Sequence, residues 1–205
     1  MEENKENKIP VLEEFYSIQG EGSNSGKAAY FVRLGGCDLA CHWCDSKETW
    51  IPENYHYTDI NSIIDNAKKT TTNSILVTGG EPLIYNFDEF CKIAKQNNFQ
   101  TFLETSGAYN LSGKWDWICL SPKRQKPPLN IFFEIANEIK IVVYEPEDLL
   151  WATECQKKIK NKKIILYLQP EWSKFETTKL LIIDYIKKNT QWKISIQIHK
   201  FLNIP

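Results

Sequence analysis

From residue 28 onward, apolar runs of four to seven residues alternate with segments of helical spacing. This alternation limits the chain to a small set of folds. Ala28–Leu34, Ser74–Thr78, Gln100–Glu104, Trp117–Leu120, Glu138–Val143, Lys163–Leu168 and Lys193–Ile198 read as strands. Thr58–Lys69 reads as a helix with Thr58 as N-cap and Ile60, Ile63, Ile64 and Ala67 on one face. Phe87–Gln96 reads as a second, showing Phe87, Phe90, Ile93 and Ala94, and further helices are expected near Pro146–Ile159 and Lys174–Lys188. Strands alternating with helices predict an α/β fold of βαβ units, with a parallel sheet and right-handed crossovers. Ser121–Asn137 holds Pro122, Pro127 and Pro128, so no full crossover helix is expected there. The chain reads as a single domain over residues 1–205, with residues 1–9 frayed.

Polar motifs close the apolar runs. Gly79-Gly80-Glu81-Pro82, Glu104-Thr105-Ser106-Gly107, Ser121-Pro122-Lys123, Gln169-Pro170-Glu171-Trp172 and His199-Lys200 each follow a predicted strand. In parallel sheets that edge carries the active site. Any one of these motifs alone is an ordinary turn; five on one edge point to a shared site.

The net charge of -1 argues against a nucleic-acid footprint. A small anionic substrate needs only local positive charge. Arg33 and Arg124 are the only arginines, and a guanidinium grips a carboxylate with two parallel bonds, as an ammonium cannot. The polar N-terminal residues predict no secretory signal, and no apolar stretch reaches about 18 residues, so no membrane span is expected. Six cysteines in such a chain read as reduced thiols or metal ligands in a cytoplasmic protein. Cys91, Cys119 and Cys155 lie in apolar segments and read as small core residues.

Cys37, Cys41 and Cys44 differ from those three. They sit at Cys-x3-Cys-x2-Cys spacing in a loop carrying Gly35, Gly36, Asp38 and Asp45. Three thiolates can hold a four-iron cluster and leave one iron open for chemistry. The alternatives are a structural zinc with His42 as fourth ligand, or three unrelated core thiols. Zinc sites usually use two separated knuckles, and no second knuckle is present.

The triplet with an aromatic residue at Trp43, followed after the next strand by Gly79-Gly80-Glu81-Pro82, resembles the radical S-adenosylmethionine superfamily. That resemblance implies a shortened, open TIM-barrel-like parallel sheet. It also implies a 4Fe-4S cluster on Cys37, Cys41 and Cys44, and S-adenosylmethionine as source of a 5′-deoxyadenosyl radical. No side chain is assigned as catalytic, because cluster and cofactor carry the radical chemistry.

Further residues are similar to one branch of the superfamily. These are Phe15-Tyr16-Ser17-Ile18-Gln19-Gly20-Glu21-Gly22, Cys44-Asp45-Ser46, Ser121-Pro122-Lys123, Leu168-Gln169-Pro170 and Gln197 through Pro205. Together they resemble the 7-carboxy-7-deazaguanine synthase family, from about Val11 onward. The resemblance implies ring contraction of 6-carboxy-5,6,7,8-tetrahydropterin with loss of ammonia, in queuosine or other 7-deazapurine synthesis. It implies substrate contacts from Ile18, Gln19, Gly20, Arg33, Thr78, His199 and Pro205, with Arg33 on the carboxylate. It implies S-adenosylmethionine contacts from Trp43, Gly79, Gly80, Glu81, Ser106, Ser121, Pro122, Lys123, Gln169, Pro170, Glu171 and Trp172. Ser46 matches the magnesium position, where threonine is the family pattern; serine keeps the hydroxyl but lacks the β-branch that stiffens it. A homodimer and an electron donor of flavodoxin or ferredoxin type are further implications. Two rival readings are a glycyl-radical-enzyme activase and a non-catalytic metal-binding module.

Overall fold

The structure, a computed structural model, describes residues 7–205. These form two compact units, one built from residues 7–17, 28–105 and 109–117, the other from 18–27, 106–108 and 118–205. Fraying was expected over residues 1–9, of which 1–6 lie outside the described residues. Lys8 and Ile9, by contrast, are already paired in a strand.

The first unit holds β1 (Lys8–Ile18), β2 (Ala28–Leu34), β3 (His56–Asp59), α1 (Ile60–Ala67), β4 (Ser74–Gly79), α2 (Asp88–Gln96) and β5 (Gln100–Thr105). Its strand order is β3-β1-β2-β4-β5. β2, β4 and β5 are parallel, with Arg33 opposite Thr78 and Leu76 opposite Phe102. β1 and β3 are antiparallel, from Lys8 opposite Asp59 to Val11 opposite His56. The predicted strands of this unit are thus parallel as expected, and β1 and β3, which the sequence did not predict, add an antiparallel pair that makes the sheet mixed. The acidic pair Glu13-Glu14 hides β1 in the sequence, and β3 is only four residues long.

One face of this sheet packs Ile9, Val11, Tyr30, Val32, Leu34, Ile75 and Val77 against the helices. Ile60, Ile63, Ile64 and Ala67 of α1 are the buried face that their spacing predicted. Phe87, Phe90 and Ala94 cover the α2 side. The other face carries a smaller apolar layer of Ala29, Phe31, Leu76 and Phe102, with Phe15 and Trp117 packed on it. The N-cap of α1 is Asp59, not Thr58. The Asp59 carboxylate accepts from the Asn61 and Ser62 amides at 2.9 and 3.3 Å. Thr58 is held in β3 and turns its hydroxyl to the His56 carbonyl.

The second unit holds β6 (Trp117–Leu120), α3 (Phe132–Ile135), β7 (Glu138–Val143), α4 (Glu147–Lys158), β8 (Ile165–Pro170), α5 (Phe175–Lys188), β9 (Trp192–Ile194) and α6 (Ile198–Leu202). Its strand order is β6-β7-β8-β9, all parallel. α4 packs on β7 and α5 on β8. The proline-rich stretch before β7 contains only the four-residue α3. The last strand is shorter than the expected Lys193–Ile198. The Ser195 and Gln197 side chains are drawn into buried hydrogen bonds, and the Ile198 amide donates to the Gly20 carbonyl at 3.0 Å, which starts α6 instead. The fold is thus α/β and open. Among the described residues no helix is long and apolar enough to cross a membrane.

Replacing the α1 cap, Asp59→Ala, is expected to lower unfolding free energy in urea by about 1 kcal/mol. Thr58→Ala should cost about 0.5 kcal/mol or less. Equal losses from the two variants would contradict the cap assignment.

Candidate active site

In the first unit the cysteine loop and the Gly79-Gly80-Glu81-Pro82 turn are locked together through backbone. The Gly80 amide donates to the Leu34 carbonyl at 2.9 Å, and the Glu81 amide to the Gly36 carbonyl at 2.9 Å. A Cβ on Gly80 would stand 2.0 Å from the Gly36 oxygen, so no larger residue fits. Gly36 and Gly79 have φ of +90° and +106°, where a side chain is strained. On the loop's outer side the Gly36 amide reaches the Thr49 carbonyl at 2.7 Å, and Gly35 reaches Pro10 at 2.9 Å. Glu81 is buried, and its carboxylate accepts from the Leu83 amide at 3.0 Å and the Thr105 hydroxyl at 2.5 Å. That carboxylate is therefore engaged in closing the turn.

The three thiols follow in the same loop. Cys37 and Cys44 are half-buried and Cys41 is buried. The Cys37 thiol is pushed up from its ordinary value, first by burial; the Leu39 backbone opposes this, and the charges of Glu81, Cys41 and Cys44 add to it. The sulfurs and Glu81 thus act on one another electrostatically, and a thiolate here is disfavoured until a cation balances it. The Cys44 amide donates to the Cys41 carbonyl at 2.9 Å, and Ala40 adopts φ +47° to complete the loop. Tyr109 donates to Asp38 at 2.5 Å. His42 is exposed, edge-on to Trp43 at 6.4 Å. Among the described residues no three His, Cys, Asp or Glu side chains gather as ligands of one ion. A tetrahedral zinc with Zn–S near 2.3 Å needs sulfurs about 3.8 Å apart. A four-iron cluster binds each of three thiolates on a different iron and leaves the fourth iron open.

Beside the loop, a row of polar groups crosses the C-terminal ends of the strands. Arg33 of β2 stands opposite Thr78 of β4, whose hydroxyl donates to Glu104 of β5 at 3.1 Å. An Arg33 Nη1–H points to the Ser46 hydroxyl at 3.3 Å, and the Ser46 amide to the Cys44 sulfur at 3.4 Å. Arg33, Thr78 and Ser46, which the sequence singled out, are therefore drawn together around the end of the cysteine loop. Glu104 joins them without having been singled out by itself.

The second unit gathers the loop from Gln19 to Ser23. Gln19 is buried, and its side-chain oxygen accepts from the Glu21 amide at 3.0 Å. A Cβ on Gly20 would lie 2.1 Å from His199 Nδ1, so the imidazole packs directly on the Gly20 backbone. Glu21 pairs with Lys140 and accepts from Gln197 at 2.8 Å; the Lys140 and Glu21 side chains are 5% and 14% exposed. The Gly22 amide donates to Ser195 at 3.0 Å, whose hydroxyl donates to Gln169 at 2.8 Å. The Ser23 amide meets Glu138 at 2.8 Å, and its hydroxyl meets Tyr167 at 3.2 Å.

Other expected site residues of this unit have local partners. Glu171 caps the Ser173 and Lys174 amides, and Lys123 Nζ donates to the Ser121 hydroxyl at 2.7 Å. Pro122 and Ser106 are buried, Pro170 ends β8, and Ile18 and Pro205 are exposed. Trp172 packs with Phe175 and Phe201, which fastens α6. Glu138, Lys140, Tyr167 and Ser195 were missed in the sequence, where Gln197 entered only as the start of the last motif. The signal was present: Glu138-Ile139-Lys140-Ile141 alternates, whereas a parallel strand covered by helices on both faces reads as continuously apolar.

Two outcomes follow from these environments. Burial pushes the Cys91 and Cys155 thiols up to about 12, so both should resist alkylation at pH 8 in folded, cluster-free protein. Cys37 and Cys44 should be labelled first, as read by mass spectrometry of peptides. Lys140→Met removes the cation from the buried Glu21 carboxylate, leaving its charge uncompensated, and should cost about 3–5 kcal/mol in denaturant unfolding. Adding Glu21→Gln should restore most of that loss.

A family model described as a 4Fe-4S single cluster domain matches residues 18–117. The chain is 48% identical over 197 residues to the 7-carboxy-7-deazaguanine synthase of Flavobacterium psychrophilum, covering 96% of this chain and 93% of the relative. It is 41% identical to that of Synechocystis sp., over 95% and 93%. The crystal structure of QueE from Escherichia coli superposes with a TM-score of 0.81 and 28% identity, covering 93% of this chain and 94% of that one. Cluster loop, glycine turn and polar row thus sit in a chain alike to these relatives over nearly its whole length, and it belongs to the 7-carboxy-7-deazaguanine synthase family.

Proposed function

We propose that this protein converts 6-carboxy-5,6,7,8-tetrahydropterin to 7-carboxy-7-deazaguanine with loss of ammonia, as a step of queuosine or related 7-deazapurine synthesis. The observation that carries the reading is the joining of the cysteine loop to the glycine turn, with Arg33 and Ser46 hydrogen-bonded at its end. Cys37, Cys41 and Cys44 would hold the 4Fe-4S cluster, which together with S-adenosylmethionine would supply radical chemistry at an unactivated C–H bond.

The chain's own residues bind and orient. Arg33 offers a planar, permanently charged fork to the substrate carboxylate. Thr78 contributes its hydroxyl beside it. Ile18, Gln19, Gly20, His199 and Pro205 would contact the pterin. Gly79 and Gly80 expose bare backbone to the methionine end of the cofactor, and Glu81 holds their turn closed. Trp43, Ser106, Ser121, Pro122, Lys123, Gln169, Pro170, Glu171 and Trp172 complete the proposed cofactor contacts. Ser46 would give one oxygen to magnesium, a cation that prefers oxygen ligands and keeps several waters. A flavodoxin- or ferredoxin-type donor, a homodimer and a cytoplasmic setting belong to the same reading.

The test is anaerobic reconstitution followed by incubation with the carboxypterin, S-adenosylmethionine, reductant and magnesium, with product identified by mass spectrometry. Deazaguanine product is expected, and Cys41→Ala should abolish it. A fully loaded cluster without turnover across a range of magnesium would overturn the proposal. Ser46→Thr should lower the magnesium concentration for half-maximal rate several-fold, because the β-branch fixes the hydroxyl.

A further inference from the structure

Arg33 does not stand alone on its strand. Its Nε–H donates to Glu13 Oε1 at 2.5 Å, its Nη1 reaches Ser46 at 3.3 Å, and its Cζ lies 5.6 Å from the Phe15 ring centroid. Phe15 in turn stacks on Phe31, with centroids 4.8 Å apart and planes 6° from parallel. These contacts place Glu13 and Phe15 of β1 on the same face as Phe31 and Arg33 of β2. The guanidinium is thereby fixed along its Nε edge by a carboxylate and across its plane by a ring.

The Glu13 side chain is 50% exposed and that of Arg33 23%. A pair so open to water adds only about 0–1 kcal/mol to stability. Its main effect is geometric. A guanidinium can hold a carboxylate through its Nε–Nη2 edge or through its two terminal nitrogens. Glu13 occupies the first edge, which leaves the Nη1–Nη2 end, already turned toward Ser46, for an incoming anion.

We propose that Glu13 is a positioning residue for substrate selection. It presents the Nη1–Nη2 end of Arg33 to the substrate carboxylate and so sets the preference for a carboxylated pterin over one without the group. This rests on the reading of Arg33 as the carboxylate clamp. Glu13 itself touches no substrate.

The experiment uses the reconstituted holoenzyme with S-adenosylmethionine. It compares equilibrium binding of the carboxypterin and of the same tetrahydropterin lacking the carboxylate, alongside KM and kcat for the former. Glu13→Ala is expected to raise KM about tenfold with kcat within twofold, and to weaken binding of the carboxylated compound only. Glu13→Gln keeps the acceptor oxygen and should restore the preference, with KM at or below the starting value because a competing negative charge is gone. Equal weakening of both compounds by Glu13→Ala, or failure of Gln to rescue, would overturn the proposal. Arg33→Gln separates this from the underlying reading. If it leaves the preference for the carboxylated compound intact, Arg33 is not the clamp and both fall. If it abolishes the preference while Glu13→Ala does not, the clamp stands and only the role of Glu13 fails. Circular dichroism melting of each variant reports whether a loss of binding reflects a loss of fold.

Discussion

Two backbone hydrogen bonds, Gly80 to Leu34 and Glu81 to Gly36, set the geometry of everything near the cysteines. They hold the turn after one parallel strand against the turn after its neighbour at a distance only glycine allows. A side chain at either place would part the two loops. The Thr49 and Pro10 carbonyls hold the other side of the same glycines, so the start of the cysteine loop is pinned from both sides. Glu81 guards the junction from behind, a buried carboxylate whose acceptors are used on Leu83 and Thr105.

The second unit uses a different means. Its parallel strands bury apolar side chains under α4 and α5 but turn Glu138, Lys140, Tyr167 and Gln169 to the other face, where the Gln19–Ser23 loop settles. A buried ion pair seldom adds net stability over an apolar pair of the same volume, because both charges lose their water. Its usefulness is that only one arrangement of the loop satisfies every group. Glu21, Lys140, Gln197, Ser195 and Gln169 form such a set, and each amide of Glu21, Gly22 and Ser23 has a named side-chain acceptor.

Much of this was legible in the sequence, because periodicity and motif spacing are local. The α1 face from Ile60 to Ala67, the strands ending at Leu34, Leu120 and Val143, and the cluster motif all read directly from residue order. What was not legible depends on partners far along the chain. β1 carries two adjacent acids and is a strand only because β2 and β3 flank it. Thr58 and Asp59 are both good caps, and tertiary placement of β3 decides which one serves. Past Ile194 the Ser195 amide still donates to the Leu168 carbonyl of β8, while the Ser195 and Gln197 side chains turn to Gln169 and Glu21, partners that no local pattern names. Arg124, the other arginine, is held by Glu145 and Asp148, so composition alone could not tell a structural guanidinium from one poised for a ligand.

The packing of His199 on Gly20 has a consequence for how this chain can change over generations. The two positions are 179 apart in sequence (199 minus 20) yet share one small volume, so position 20 is restricted to glycine by the path of the chain at 199. A Cβ at 20 would also stand 2.9 Å from the His199 backbone nitrogen, so a smaller side chain at 199 would not make room for one. The requirement for glycine at 20 is in this sense imposed by a segment that the chain reaches only 179 residues later.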